Sequence, residues 1–217
     1  MISKRIFLFV SAFIFFAATV NPSLAEESTV LFGAKGGVPI VDPFVLTNDS
    51  AIANNYTFET KRFLGGPFFQ LNLPFHIGFE ADALYRRLHY ESNPFLFNTL
   101  HASTDASSWE FPLMVRRALP IPYLHPYGGI GVSLAHVNGK TDFSNAVLQS
   151  TEPVELAKTW NTGGLVAVGI DLRHGRFHYQ PEIRYTRWAT QTFVSGNGLF
   201  NSNLNSIDFL IGVAFGK

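Results

Sequence analysis

The chain has 217 residues, is 47% hydrophobic and only 15% charged, and carries 22 Phe, 7 Tyr and 3 Trp. Lys plus Arg equals Asp plus Glu at 16 each, so the basic footprint that nucleic-acid binding requires is missing. With no cysteine, disulfide staples, thiolate catalysis and Cys-ligated zinc or iron–sulfur clusters are excluded. The length suits one domain.

The N-terminus reads as an export signal. Lys4 and Arg5 precede an apolar run from Ile6 to Ala18, then Asn21-Pro22-Ser23-Leu24-Ala25, the charged, apolar and small-residue regions of a signal peptide. The run falls short of the roughly 20 residues a transmembrane helix needs. The expected division is a signal peptide over 1–25 and one domain over 26–217, with the cut before Glu26.

Eight strands follow in chain order, at about 29–40, 57–73, 76–90, 107–118, 125–137, 159–173, 176–189 and 206–216. Their connections alternate. Those at 74–75, 119–124 and 174–175 are short, and those near 41–56, 91–106, 138–158 and 190–205 are long and rich in Asn, Ser, Thr and Asp. Short turns at one rim and long loops at the other are the pattern of an up-and-down barrel in an outer membrane. The fold class expected is all-β, an eight-stranded antiparallel up-and-down transmembrane β-barrel.

Within the strands, apolar and polar residues alternate with period two. In the last strand Ile207, Phe209, Ile211, Val213 and Phe215 oppose Asp208, Leu210, Gly212, Ala214 and Gly216. In the seventh, Phe177, Tyr179, Pro181, Ile183 and Tyr185 alternate with His178, Gln180, Glu182, Arg184 and Thr186. A barrel in lipid turns the apolar face outward, and eight strands leave an interior that side chains fill. Lys35, Arg62, Arg86, Arg116 and Arg184 are therefore expected in the lumen with Glu80, Asp82, Glu110, Asp171, Glu182 and Asp208. Arg184 and Arg116 are expected to meet Glu182, Glu110 or Glu80. Tyr85, Trp109, Tyr123, Tyr127, Trp160, Phe177, Tyr185 and Trp188 lie near strand ends, where interfacial girdles form.

Four groups of residues stand out: Pro181-Glu182-Ile183-Arg184-Tyr185-Thr186-Arg187-Trp188, Gly65-Gly66-Pro67 with Glu80-Ala81-Asp82-Ala83-Leu84-Tyr85, Phe111-Pro112-Leu113-Met114-Val115-Arg116, and His125-Pro126-Tyr127-Gly128-Gly129-Ile130-Gly131. In these stretches the chain resembles the outer membrane protein beta-barrel domain family, small barrels related to the OmpA/OmpX-like and opacity-type proteins. The resemblance covers the mature chain and implies the barrel fold and the outer membrane, but no particular activity. It also implies that Phe215 serves as the C-terminal signal for the barrel assembly machinery. Here Gly216 and Lys217 follow the aromatic, whereas such barrels usually end on it.

Chemistry of other kinds finds little footing. The seven histidines, His76, His89, His101, His125, His136, His174 and His178, show no metal-ligand spacing, and no Gly-x-Ser-x-Gly elbow is present. No metal or cofactor is expected. His89 and His136 are the candidates to test for a lipid-modifying enzyme. The long loops carry apolar residues, among them Leu46, Ile52 and Tyr56, Phe95, Leu96 and Phe97, Phe143, Val147 and Leu148, and Phe193, Leu199 and Phe200. They either contact a partner or lipopolysaccharide, or pack on one another. The overall reading is a monomeric, non-enzymatic outer-membrane barrel with membrane lipid, lipopolysaccharide and the assembly machinery as partners. A narrow channel for small or apolar solutes is the alternative.

Overall fold

The structure is a computed structural model, and it describes residues 29–46, 56–58, 63–92, 102–121, 124–143, 149–150, 156–194 and 200–216. The proposed signal peptide, Arg62 and Tyr123 lie outside these residues. So do most of the long-loop positions, including Ile52, Phe95, Leu96, Phe97, Val147, Leu148 and Leu199.

Eight strands form the wall: β1 (Thr29–Pro39), β2 (Leu64–Leu73), β3 (Ile77–Asp82, continuing after Ala83 as Leu84–Ser92), β4 (Ala102–Ala118), β5 (Pro126–Phe143), β6 (Trp160–Ile170), β7 (Phe177–Trp188) and β8 (Asn205–Gly216). Each pairs antiparallel with its sequence neighbour, and β8 closes on β1 from Leu31↔Gly216 to Pro39↔Asp208. Closure leaves no barrel strand with an unpaired edge along its whole length, the condition for strands to cross a bilayer. The break at Ala83 has a covalent cause. Ala83 lies across from Pro67 on β2, whose carbonyl accepts its N–H, while Asp82 lies across from Pro112 on β4. Neither proline can donate to the ladder.

The faces sort by residue parity. Phe32, Phe69, Phe79, Leu113, Val115, Ile130, Val132, Val166, Val168, Ile183, Ile211, Val213 and Phe215 are exposed on the outside, and the charged residues between them are buried in the lumen. Aromatics concentrate in two register rows of the outer surface. Near the long-loop end Tyr85, Trp109, His136 and Trp160 are successive cross-strand partners, with Tyr85 and Trp109 centroids 5.2 Å apart and His136 stacked on Trp160 at 4.4 Å. Toward the short-turn end Phe69, Phe32, Phe215 and Phe177 form a second row across β2, β1, β8 and β7, with Phe177 and Phe215 meeting edge to face at 5.6 Å.

Two long connections are shorter than the composition suggests. β4 begins at Ala102 and β5 runs to Phe143, so much of what reads as loop is wall. Beyond the Tyr85–Trp160 row the polarity inverts. Arg87, Asp105, Asn138 and Lys140 face outward, and Leu88, Ala106 and Val137 are buried inside. The polar outer face marks wall standing in water above the apolar band.

A lumen filled with charge and capped by loops

The lumen is packed in layers. At its centre Lys35 from β1, Glu80 and Asp82 from β3, Arg116 from β4, and Glu182 and Arg184 from β7 form a single cluster of three cations and three acids, every one buried. Lys35 Nζ lies 2.5 Å from Glu80 Oε1 and 3.5 Å from both Asp82 and Glu182. Arg184 reaches Glu182 at 2.7 Å, Asp82 at 2.7 Å and Glu80 at 3.2 Å. Arg116 donates to Glu80 at 2.8 Å and to Gln70 at 2.9 Å, and Gln180 in turn donates to Gln70 at 3.0 Å. Equal opposite charge in one cluster is what allows ions to stay out of water, since an isolated buried charge is prohibitive.

Arg116 and Arg184 thus meet Glu80 and Glu182, while Glu110 is engaged elsewhere. Toward the long-loop end Arg86 lies 3.2 Å from Glu110 and donates to Asp208 at 3.0 Å. Toward the short turns Asp171 lies 2.9 Å from His178 Nδ1 and accepts from Arg173 at 3.1 Å. Apolar clusters separate the charges: Leu31 with Phe68 and Ala214, Leu64 with Leu84 and Leu210, and Met114 with Leu165 and Ala167.

Two aromatics expected in the girdle face the other way. Tyr127 shares inward parity with Gly129 and Ser133 on β5, and the residue is 4% exposed. Its hydroxyl donates to Glu182 at 2.8 Å, and the Arg116 guanidinium lies 3.5 Å from its ring centroid, a cation–π contact. Trp188 has the inward parity of Arg184 and Thr186 and lines the barrel mouth. Proximity to a strand end suggested the girdle, but a period-two strand assigns faces by parity alone. Tyr85, Trp109, Trp160, Phe177 and Tyr185 face outward, as does Phe215. Gln70 and Tyr127 were missed as lumen residues, while Gln180 lies inward with the polar face of β7 on which its alternation put it.

The loops close the mouth. Phe44–Leu46 pairs with Phe200–Ser202, Leu156 bridges to Phe193, and Val194 to Asn201. Phe44 and Phe193 meet edge to face at 5.6 Å and, with Leu88, Ala106, Val137 and Leu156, form an apolar stopper. Below it a cavity of about 70 Å³ has Arg86 and Glu110 among its lining. On the outer face above the apolar band, His89 Nδ1 and Arg87 both lie about 3 Å from Asp105. Partial desolvation raises the Asp105 pKa, but these two hydrogen bonds outweigh it and hold the carboxyl below the usual range. Among the described residues no group of three or more His, Asp or Glu side chains is placed to share a metal ion.

No family model matches the chain, and no curated protein matches it. Solved structures do. The outer membrane protein OprG from Pseudomonas aeruginosa superposes with a TM-score of 0.56 at 10% identity, over 91% of this chain and 99% of that one. The E. coli outer membrane protein W gives 0.44 at 15% identity over 88% and 99%. Ail, the attachment invasion locus protein of Yersinia pestis, in complex with a heparin analogue, gives 0.47 at 12% identity over 89% and 100%. The likeness to OprG is one of fold: an eight-stranded membrane barrel.

Proposed function

We propose that the protein is a non-enzymatic barrel of a bacterial outer membrane, exported by a signal peptide over residues 1–25 that is then removed, whose wall is an anchor and whose long loops form a surface for interaction at the cell exterior. The observation that carries this reading is the blocked lumen. The neutral cluster around Lys35 and Glu80 fills its centre and the Phe44–Phe193 stopper covers its mouth, so the strands serve support better than passage. The outward apolar face and the two aromatic rows support membrane residence. The fold it shares with OprG supports the outer membrane. Of the two histidines considered for catalysis, His89 pairs with Asp105 on the outer face and His136 stacks on Trp160.

Planar-bilayer recording of the purified barrel tests the proposal. A silent bilayer is expected, and steady conductance that changes in Arg184→Gln would replace the anchor reading with a channel. Protease treatment of intact cells tests the orientation. Cleavage within 93–101 or 144–148 is expected without opening the envelope, and cleavage that requires an opened envelope would reverse it. Expression should leave the lipid A mass spectrum unchanged; a modification abolished by His89→Ala or His136→Ala would establish an enzyme instead.

A further inference from the structure

The geometry points to a binding site for an anionic phospholipid at the short-turn rim, in a cavity of about 200 Å³ between the turns that follow β2 and β4 and the segment after β6. Its lining combines polar side chains, Asn72, His76, His125 and Arg173, with apolar ones that include Ile77, Leu119 and Ile121. No carboxylate lines it.

Three observations converge on that ligand. The first is charge. The described residues of this rim include Arg117, Arg173 and Arg176 and the imidazoles of His76, His125, His174 and His178, against a single acid, Asp171. Asp171 is engaged by Arg173 and His178. Such a basic rim attracts anionic headgroups. The second is continuity. Ile77 and Ile121 are exposed, and beside them Phe75, Phe79 and Leu124 extend the apolar surface onto the lipid-facing wall. A phosphate seated among Arg173, His76 and His125 would leave its acyl chains lying along that wall, which a free anion would not use. The third is backbone. Phe75, His76 and His125 are the described non-glycine residues with left-handed φ, at 68°, 60° and 36°. All three lie in the turns that shape this cavity, and strain of this kind collects at ligand sites. This site rests on the outer-membrane reading, which puts the short turns at the phospholipid leaflet.

Native mass spectrometry of the full mature barrel in detergent, offered equal phosphatidylglycerol and phosphatidylcholine, tests the site. Preferential retention of phosphatidylglycerol is expected, falling about fivefold in Arg173→Gln and further in the double change with His125→Gln, which removes a hydrogen-bonding imidazole. His76→Gln, on the facing turn, is the second variant should the first pair fail to fold. Ile121→Ser should weaken retention of the lipid while leaving competition by inorganic phosphate in place. Equal retention of the two lipids, or a preference unchanged in variants that still show the boiling-dependent mobility shift of a closed barrel, overturns the site. Wild-type protein that shows this shift in an outer-membrane fraction yet lacks the preference sinks the lipid site alone.

Discussion

Lys35 and Glu80 touch across the lumen although their strands do not: β2 lies between β1 and β3, yet the Lys35 ammonium sits 2.5 Å from the Glu80 carboxylate. The pair therefore bridges the wall from inside, independent of the hydrogen-bond ladder. Removing one partner leaves a charge buried in a water-poor interior, which costs about 3–5 kcal/mol. Glu80→Gln or Lys35→Met should lower the temperature at which the barrel loses its compact gel mobility. The double variant should lose less than the sum of the two, with a coupling of about 0.5–3 kcal/mol. Strict additivity would show that the two side chains do not interact.

Tyr127 couples the cluster to β5 through one hydrogen bond and one ring face. Tyr127→Phe keeps the ring beneath Arg116 and removes only the donor to Glu182, for an expected loss of about 1.5–3 kcal/mol, the range for hydrogen bonds to charged groups. Tyr127→Leu should cost more, because the cation–π contact goes as well. Equal losses in the two variants, measured by denaturant unfolding in detergent, would remove the ring's role.

Glycines separate into those the wall requires and those it tolerates. A Cβ at Gly66 would run into the Ala83 carbonyl and one at Gly131 into the Leu113 carbonyl, both rigid backbone, whereas one at Gly164 meets nothing within 4 Å. Gly66→Ala and Gly131→Ala should reduce the yield of folded barrel, and Gly164→Ala should leave it unchanged. Equal yields from all three, read as the folded fraction on unboiled gels, would contradict the strand packing.

Asp105 gives the pH dependence its sign. Its carboxyl is held below the ordinary value of about 3.9 by Arg87 and His89. Since the folded value is the lower one, the stabilisation is present above the unfolded pKa and fades as pH falls through the folded one. A carbon-detected NMR titration should place the Asp105 midpoint below that of free aspartate, and Arg87→Ala should raise it. An unchanged midpoint would mean that the guanidinium contact contributes nothing in solution.

The sequence made the fold legible because a barrel repeats two local signals, alternation within its eight strands and loop length at the seven connections between them. The buried placement of Glu80, Asp82, Arg116, Glu182 and Arg184 follows from parity with apolar neighbours. Three features were not legible for physical reasons. The tops of β4 and β5 carry Ser, Asp, Asn and Lys on the outside because they stand in water, so composition read them as loops. Tyr127 and Trp188 sit near strand ends, where aromatics suggest an interface, yet their parity turns them inward. Which cation meets which acid depends on strand shear and cross-lumen reach, and neither is written in any one strand. For that reason the Arg86–Glu110–Asp208 group could not be separated from the central cluster.

A comparison of boiled and unboiled samples from a purified outer-membrane fraction tests whether the chain forms a closed barrel in that membrane. A closed barrel held by its ladder and by the lumen charges should resist detergent without heat. It should migrate as a compact band that shifts to the unfolded position on boiling. Protein recovered in the soluble fraction, with one mobility in both samples, would contradict the claim: the charged face would then be the exterior, and the apolar face the lining.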